Sequence, residues 1–245
     1  MVGLLLTTVA ASAASALGYH AMAPRSQVYG STFVGEESSS RKIALTFDDG
    51  PNDPDTLKLL DALDRHQVKA TFFMIGRYVS QRPKIAEAVS RAGHVIGNHT
   101  YTHPNLIFCS KTQIRLQLEE CGRALRDAVG ESSRLFRPPH GGRRPEVLRI
   151  VHQSGMLPVM WSVTGYDWKN DPGSKIEANV ARQLRGGDLI LLHDGSHLGM
   201  GCDRSQTIAA TEGLIRRYRD QGFSFVTVPE MMGLNSALPG SQRKG

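Results

Sequence analysis

Short apolar runs alternate with amphipathic stretches along most of this chain. Residues 42–47 (KIALTF) form an apolar run of strand length, the pattern of a strand buried on both faces. The next stretch, 55–66, carries Leu57, Leu60 and Leu63 at helical spacing. Further strands are expected at 70–75, 94–96, 134–136, 157–161, 188–192 and 224–228, which makes seven in all. Helices are expected at 83–92, 111–129, 145–154, 176–184 and 206–221. Ile114, Leu118, Cys121 and Leu125 mark one face of the longest. Gly93, Gly130, Gly155 and Gly222 each follow a helical pattern, where a left-handed cap residue belongs. Strands alternating with helices imply a mostly parallel sheet, either open or closed as a barrel. At 245 residues the chain fits one α/β barrel of roughly 200–250 residues.

The two ends break the pattern. Residues 2–23 are apolar and uncharged, as a secretory signal or a single membrane anchor would be, although a basic leading segment is missing. Ala-x-Ala sites at 11–13 and 14–16 allow cleavage. The expected organisation is a signal or anchor at 1–23, a linker at 24–41, a catalytic domain at 42–234 and a polar tail at 235–245. Export, or anchoring with the domain facing the cell envelope, follows from the first of these. Nothing calls for more than a monomer.

The formal charge is +6, but Lys and Arg are scattered apart from pairs such as Arg143-Arg144. No basic stripe interleaves with aromatics, so nucleic acid is not an expected partner, while a basic surface suits an anionic cell wall. Three cysteines make no disulfide framework. Cys109 and Cys121 would sit about 18 Å apart along one helix, too far to bridge. A Cys109–Cys202 pair stays open beside the simpler reading of free thiols.

Polar residues gather where strands end. Asp48-Asp49 closes the first strand, His99 and His103 follow the third, Arg137–His140 the fourth, Asp167-Trp168 the fifth, and His193 the sixth. Parallel α/β folds collect their sites at the carboxyl ends of strands, so these five clusters should meet on one face. Adjacent Asp48 and Asp49 should point in opposite directions along a strand, one to a metal and one towards substrate. The same Asp-Asp-Gly-Pro segment also reads as a plain turn. His99 and His103, four apart, would share the face of a helical turn and with a carboxylate make a three-ligand metal site. His193 is a candidate general acid, and the Arg137–Gly142 loop could aim backbone N–H groups at an oxyanion. Trp161 and Trp168 are more often core residues than sugar platforms, although a Trp beside an acid at a strand end raises the second option.

Thr46-Phe47-Asp48-Asp49-Gly50-Pro51, His99-Thr100-Tyr101-Thr102-His103, Arg137-Pro138-Pro139-His140-Gly141, Asp167-Trp168 and Leu191-Leu192-His193 together resemble the polysaccharide deacetylase (NodB-homology) family. The motifs stand in the family's order over most of the domain. The resemblance implies a distorted (β/α) barrel of about seven parallel strands. It implies that Asp49, His99 and His103 hold a divalent metal, usually zinc (cobalt or another divalent ion being possible), and that Asp48 is the general base. Arg137 would orient Asp48, and His193 would be the general acid, tuned by Asp167. Trp168 and Leu191 would line the acetyl pocket, and the backbone N–H of His140 would help hold the oxyanion. His140 is itself a departure, since the family more often has Tyr or Phe there. The implied activity is removal of N-acetyl groups from peptidoglycan or a chitin-like oligosaccharide. An O-acetyl esterase acting on xylan, or a non-catalytic carbohydrate-binding relative, stands as the alternative.

Overall fold

The computed structural model describes residues 15–234. The tail at 235–245 and the first part of the expected signal or anchor lie outside the described residues. Residues 15–22 form a helix, α1, and no helix among the described residues is long and apolar enough to cross a membrane.

Strand β1 (Lys42–Asp48) is the centre of the sheet. On one side it pairs with β2 (Thr71–Met74), followed outward by β3 (Val95–Asn98), β4 (Leu135–Phe136) and β5 (Leu157–Pro158). On the other side it pairs with β7 (Asp188–His193), beyond which lies β6 (Val163–Thr164). A last strand, β8 (Ser224–Phe225), pairs with the start of β1. Every pairing is parallel. Seven strands make the path, and its two ends, β5 and β6, are not paired, so the barrel is open along one seam.

Alternation along β1 explains why it reads as one apolar run. Ile43, Leu45 and Phe47 pack outward into the main core with Leu59 and Leu63 of helix α2 (Asp55–Arg65). Ala44 belongs to a separate inner core with Phe73, Leu135, Val159 and Leu189. Both faces are covered, so no polar position is required until Thr46 and Asp48, which share the inner side with Ala44. Each large side chain buried this way contributes roughly 1.5–3 kcal/mol. On α2 the buried leucines are Leu59, Leu60 and Leu63, whereas Leu57 is exposed, so the apolar face lies slightly round from its expected position.

The remaining helices are α3 (Gly76–Gln81), α4 (Pro83–Arg91), α5 (Lys111–Val129), α6 (Pro145–Gln153), α7 (Gly173–Gln183), α8 (Ser205–Asp220) and the short α9 (Val228–Met231). α3 and β6 were not expected; each is too short for a periodicity to show. α5 starts where Ser110 and Gln113 cap each other's backbone reciprocally and stops at Gly130, whose φ of 85° is left-handed.

The segment 24–41, expected as a linker, packs on the domain. Phe33 receives and returns backbone hydrogen bonds beside β5, with Phe33 N–H to Pro158 O at 2.9 Å and Met160 N–H to Phe33 O at 2.8 Å. Three residues on, Glu36 N–H donates to Gly187 O at 2.8 Å, at the start of β7. The segment thus straps the open seam from one side to the other. Further upstream, buried Arg143 donates to the carbonyls of Ala23 and Ser26 at 2.6 and 2.8 Å.

Candidate active site

Asp48 ends β1, and Asp49 follows with a φ of 73°, left-handed for a residue that is not glycine. That twist cancels the strand alternation. The two carboxylates, expected to diverge, both approach His99: Asp48 Oδ2 lies 3.7 Å and Asp49 Oδ1 3.5 Å from Nε2. Gly195 makes the bend possible, since a Cβ there would fall 2.2 Å from the Asp49 carbonyl oxygen.

His99 and His103 meet by a different route from the helical turn expected. The loop after β3 is not helical, and Thr100 and His103 have φ of 65° and 62°. Side chains hold it. Asn98 Oδ1 accepts from Thr100 N–H, Thr100 Oγ1 accepts from His103 N–H, and Gln117 on α5 accepts from both Tyr101 and Thr102. His99 Nδ1–H donates to the Arg137 carbonyl at 2.8 Å, which turns the Nε2 lone pair into the site. His103 Nε2 lies 3.2 Å from Asp49 Oδ1.

One ligand atom from each of Asp49, His99 and His103 lies within 4.8 Å of the others. All three residues are buried, and Asp49 Oδ1 lacks a hydrogen-bond partner. Burial, followed by the neighbouring His99, pushes His103 down to about 2, so its ring is neutral. Burial alone would raise the Asp49 carboxyl, but the hydrogen bond from His197 and the nearby His99, His103 and His193 imidazoles hold it well below the usual carboxylate range. Lone pairs converging on an ionised carboxylate with no proton between them are costly when buried. A divalent cation satisfies all three, and a carboxylate with two imidazoles is a zinc-type donor set. The residues fit the metal.

Around this trio stand the other expected residues. Arg137 is fully buried inside the barrel, with its guanidinium 4.1 Å from the Phe73 ring centroid. It donates to Asp48 Oδ1 at 2.7 Å, Thr46 Oγ1 at 2.8 Å and Met160 O at 2.8 Å. His193 ends β7 as the registered neighbour of Asp48. Its Nδ1–H donates to Asp167 Oδ1 at 2.8 Å, and its backbone N–H to Asp167 Oδ2 at 2.7 Å. Burial would lower the imidazole, but the charge and hydrogen bond of Asp167 outweigh it and raise His193 to about 9. Leu191, two residues earlier, is buried on the same side of the strand. Trp168 is half-exposed and meets His193 edge-on at 5.4 Å. His140 has a φ of 57° in the tight turn after Pro138-Pro139. Gly141 and Gly142 N–H close that turn on Pro138 O and Pro139 O, while the N–H of His140 donates to nothing within the described residues.

Several residues of the site went unrecognised in the sequence. His197 donates its N–H to Asp49 Oδ2 at 3.3 Å and stacks on His103 at 4.5 Å. A histidine four past His193 in a Gly-Ser-His loop was the available signal. Thr207 Oγ1 donates to Asp167 Oδ2 at 3.0 Å, and Arg204 packs against the same acid. Asp194 is buried under Gly50, hydrogen-bonded by Thr56 and pushed up by burial to about 7. Cys109, Cys121 and Cys202 are all free thiols.

Comparison with known proteins gives one consistent family. A profile described as polysaccharide deacetylase matches residues 35–159. A chitooligosaccharide deacetylase of Sinorhizobium fredii is 39% identical, over 77% of this chain and 90% of its own length. A peptidoglycan-N-acetylglucosamine deacetylase of Bacillus cereus is 36% identical, over 83% of this chain and 72% of its own length. A solved peptidoglycan N-acetylglucosamine deacetylase superposes with a TM-score of 0.77 at 35% identity, covering 82% of this chain and 91% of that one.

Proposed function

From the premise that the chain belongs to the polysaccharide deacetylase family, we propose that its site hydrolyses the N-acetyl groups of a glucosamine-containing polymer or oligomer, peptidoglycan or chitin-like, with Asp48 as base and His193 as acid. The observation that carries this reading is the registered pairing of Asp48 with His193, which sets a base and an acid on neighbouring strand ends beside the Asp49–His99–His103 trio.

Asp49, His99 and His103 hold the cation, taken to be zinc. When bound there, it supplies Lewis-acid polarisation of the amide carbonyl and lowers the pKa of a coordinated water. Asp48, oriented by Arg137, takes a proton from the attacking water. His193 has Nδ1 committed to Asp167, so it delivers the Nε2 proton to the leaving nitrogen. With its pKa raised to about 9, the imidazole carries that proton at neutral pH. The C–N bond breaks as the nitrogen is protonated, and the products are acetate and a free amine. The unused N–H of His140 suits the developing oxyanion, and one such donor is worth roughly 2.7–4 kcal/mol. Leu191 and Trp168 border the space for the acetyl methyl.

The half-exposed Tyr166 and Trp168, and the well-exposed Phe108 and Leu198 on the flanking loops, give a long chain something to lie against. Such polymers lie outside the cytoplasm, which accords with the reading of 1–23 as an export signal or anchor. The test is acetate release from N-acetylglucosamine oligomers and peptidoglycan by the full chain, before and after chelation and zinc re-addition. Release that stops on chelation and returns with zinc is expected. No release from either polymer under any divalent metal overturns the proposal, and release from acetylated xylan alone transfers it to the esterase alternative.

A further inference from the structure

A second imidazole cluster opens at the mouth of the site. One ring nitrogen from each of His103, His140 and His197 lies within 4.8 Å of the others. The rings pack with centroids 4.6 Å apart for His103–His140, 4.5 Å for His103–His197 and 5.2 Å for His140–His197; the His103 and His197 rings are stacked at 19°, so one of them turns about its side-chain bonds to aim its lone pair at a shared ion. Only His103 belongs to the Asp49–His99–His103 trio.

We propose that His103, His140 and His197 form a second, outer binding position for a divalent cation that favours imidazole, adjoining the inner one and sharing His103 with it. His103 has two nitrogens to offer: Nε2 approaches Asp49 Oδ1, while Nδ1 is buried without a hydrogen-bond partner. A buried polar nitrogen with no partner calls for an occupant. The other two rings are held by their backbones. His140 sits at a φ of 57° in the tight turn after Pro138-Pro139. His197 is fixed through its N–H on Asp49 and through its carbonyl, which accepts from Arg77 at 2.7 Å. Its Nδ1 lies 3.6 Å from Asp49 Oδ2, which leaves Nε2 for a ligand.

Burial grades outward: His103 is enclosed, while His140 and His197 reach solvent, so a cation has an open approach. Three imidazoles are a complete protein ligand set for zinc. Neutral nitrogen donors without a carboxylate select zinc, copper or nickel over magnesium and calcium. With both positions filled at once, His103 serves one ion through each ring nitrogen and gives its ring proton to solvent.

The readout is bound zinc, so the outcome is independent of whether the chain releases acetate. The full chain carrying Asp49→Asn and His99→Ala, stripped of metal by a chelator, is titrated with zinc alone. It is expected to bind one ion per chain, more weakly than the unsubstituted chain. Adding His140→Phe or His197→Gln is expected to weaken that binding at least ~10–100-fold, a loss typical of removing even an indirect partner of a metal. The proposal is overturned if the Asp49→Asn, His99→Ala chain binds no zinc, or if its zinc stays equally tight after both outer histidines are replaced. Should the double variant lack a folded circular dichroism spectrum, the single His99→Ala chain supports the same comparison. Failure of the inner position would instead appear as equal zinc affinity in the unsubstituted and His99→Ala chains.

Discussion

Arg137 and Asp48 form an ion pair at 2.7 Å inside the barrel, and neither side chain reaches solvent appreciably. The pair joins the inner core to the site. The guanidinium lies over Phe73, whose ring packs so tightly on Gly97 that a Cβ there would come within 2.3 Å of it. The position of Asp48, the proposed base, is therefore set from an apolar floor through one buried cation.

Arg137→Met is expected to cost stability as well as turnover. Removing one member of a buried pair leaves an uncompensated charge, a loss of about 3–5 kcal/mol. Arg137→Lys should rescue little of this, because a single ammonium cannot reach Asp48, Thr46 and the Met160 carbonyl at once. Urea denaturation with kcat for each variant checks both statements; full activity in the lysine variant would show that the fork geometry is dispensable.

Asp48 and Asp49 are neighbours proposed to have separate duties, and zinc content should distinguish them. Asp48→Asn is expected to keep zinc and lose turnover, while His99→Ala or Asp49→Asn lowers zinc affinity by about tenfold or more. Metal analysis after dialysis reads the outcome. An empty site in Asp48→Asn would mean that the two aspartates have exchanged roles.

The pH profile depends on Asp167. The His193 pKa stands at about 9, above its ordinary 6.5, so the acid form is present below that value and is lost as pH rises through it. Activity should fall on the alkaline side accordingly. The stabilisation from the His193–Asp167 pair has the same sign: it is complete below about pH 6.5 and gone above about 9. Asp167→Asn removes the main upward influence and is expected to move the alkaline limb of kcat/KM to lower pH. An unmoved limb would assign it to another group.

Gly195→Ala changes no ligand yet should weaken zinc binding. The added Cβ would lie 2.2 Å from the Asp49 carbonyl oxygen and 2.9 Å from the Gly50 nitrogen, both backbone atoms that cannot swing aside. Asp49 must then shift. Zinc affinity equal to that of the unsubstituted chain would show that the bend relaxes without it.

Much of the barrel was legible because its strands are covered on both faces and its longer helices repeat their apolar positions often enough to count. Helix α3 and strand β6 were missed because six and two residues hold no periodicity. The strand-end positions of Asp48, His99, Arg137, Asp167 and His193 could be read from position alone. How they converge could not. Asp49, Thr100, His103 and His140 all have positive φ, and such a conformation leaves no trace in composition when the residue is not glycine. His197 stands in no periodic pattern, and only its spacing of four from His193 marks it.

The strap at Phe33–Glu36 bears on how the protein can be handled. A copy trimmed to begin at Lys42, the first residue of β1, keeps Asp48, Asp49, His99, His103 and His193. It also uncovers the β5 backbone that Phe33 occupies, and with it an unpaired strand edge, the kind of surface on which further chains assemble. Such a fragment is expected to lose solubility before it loses its chemistry, which light scattering beside acetate release would check.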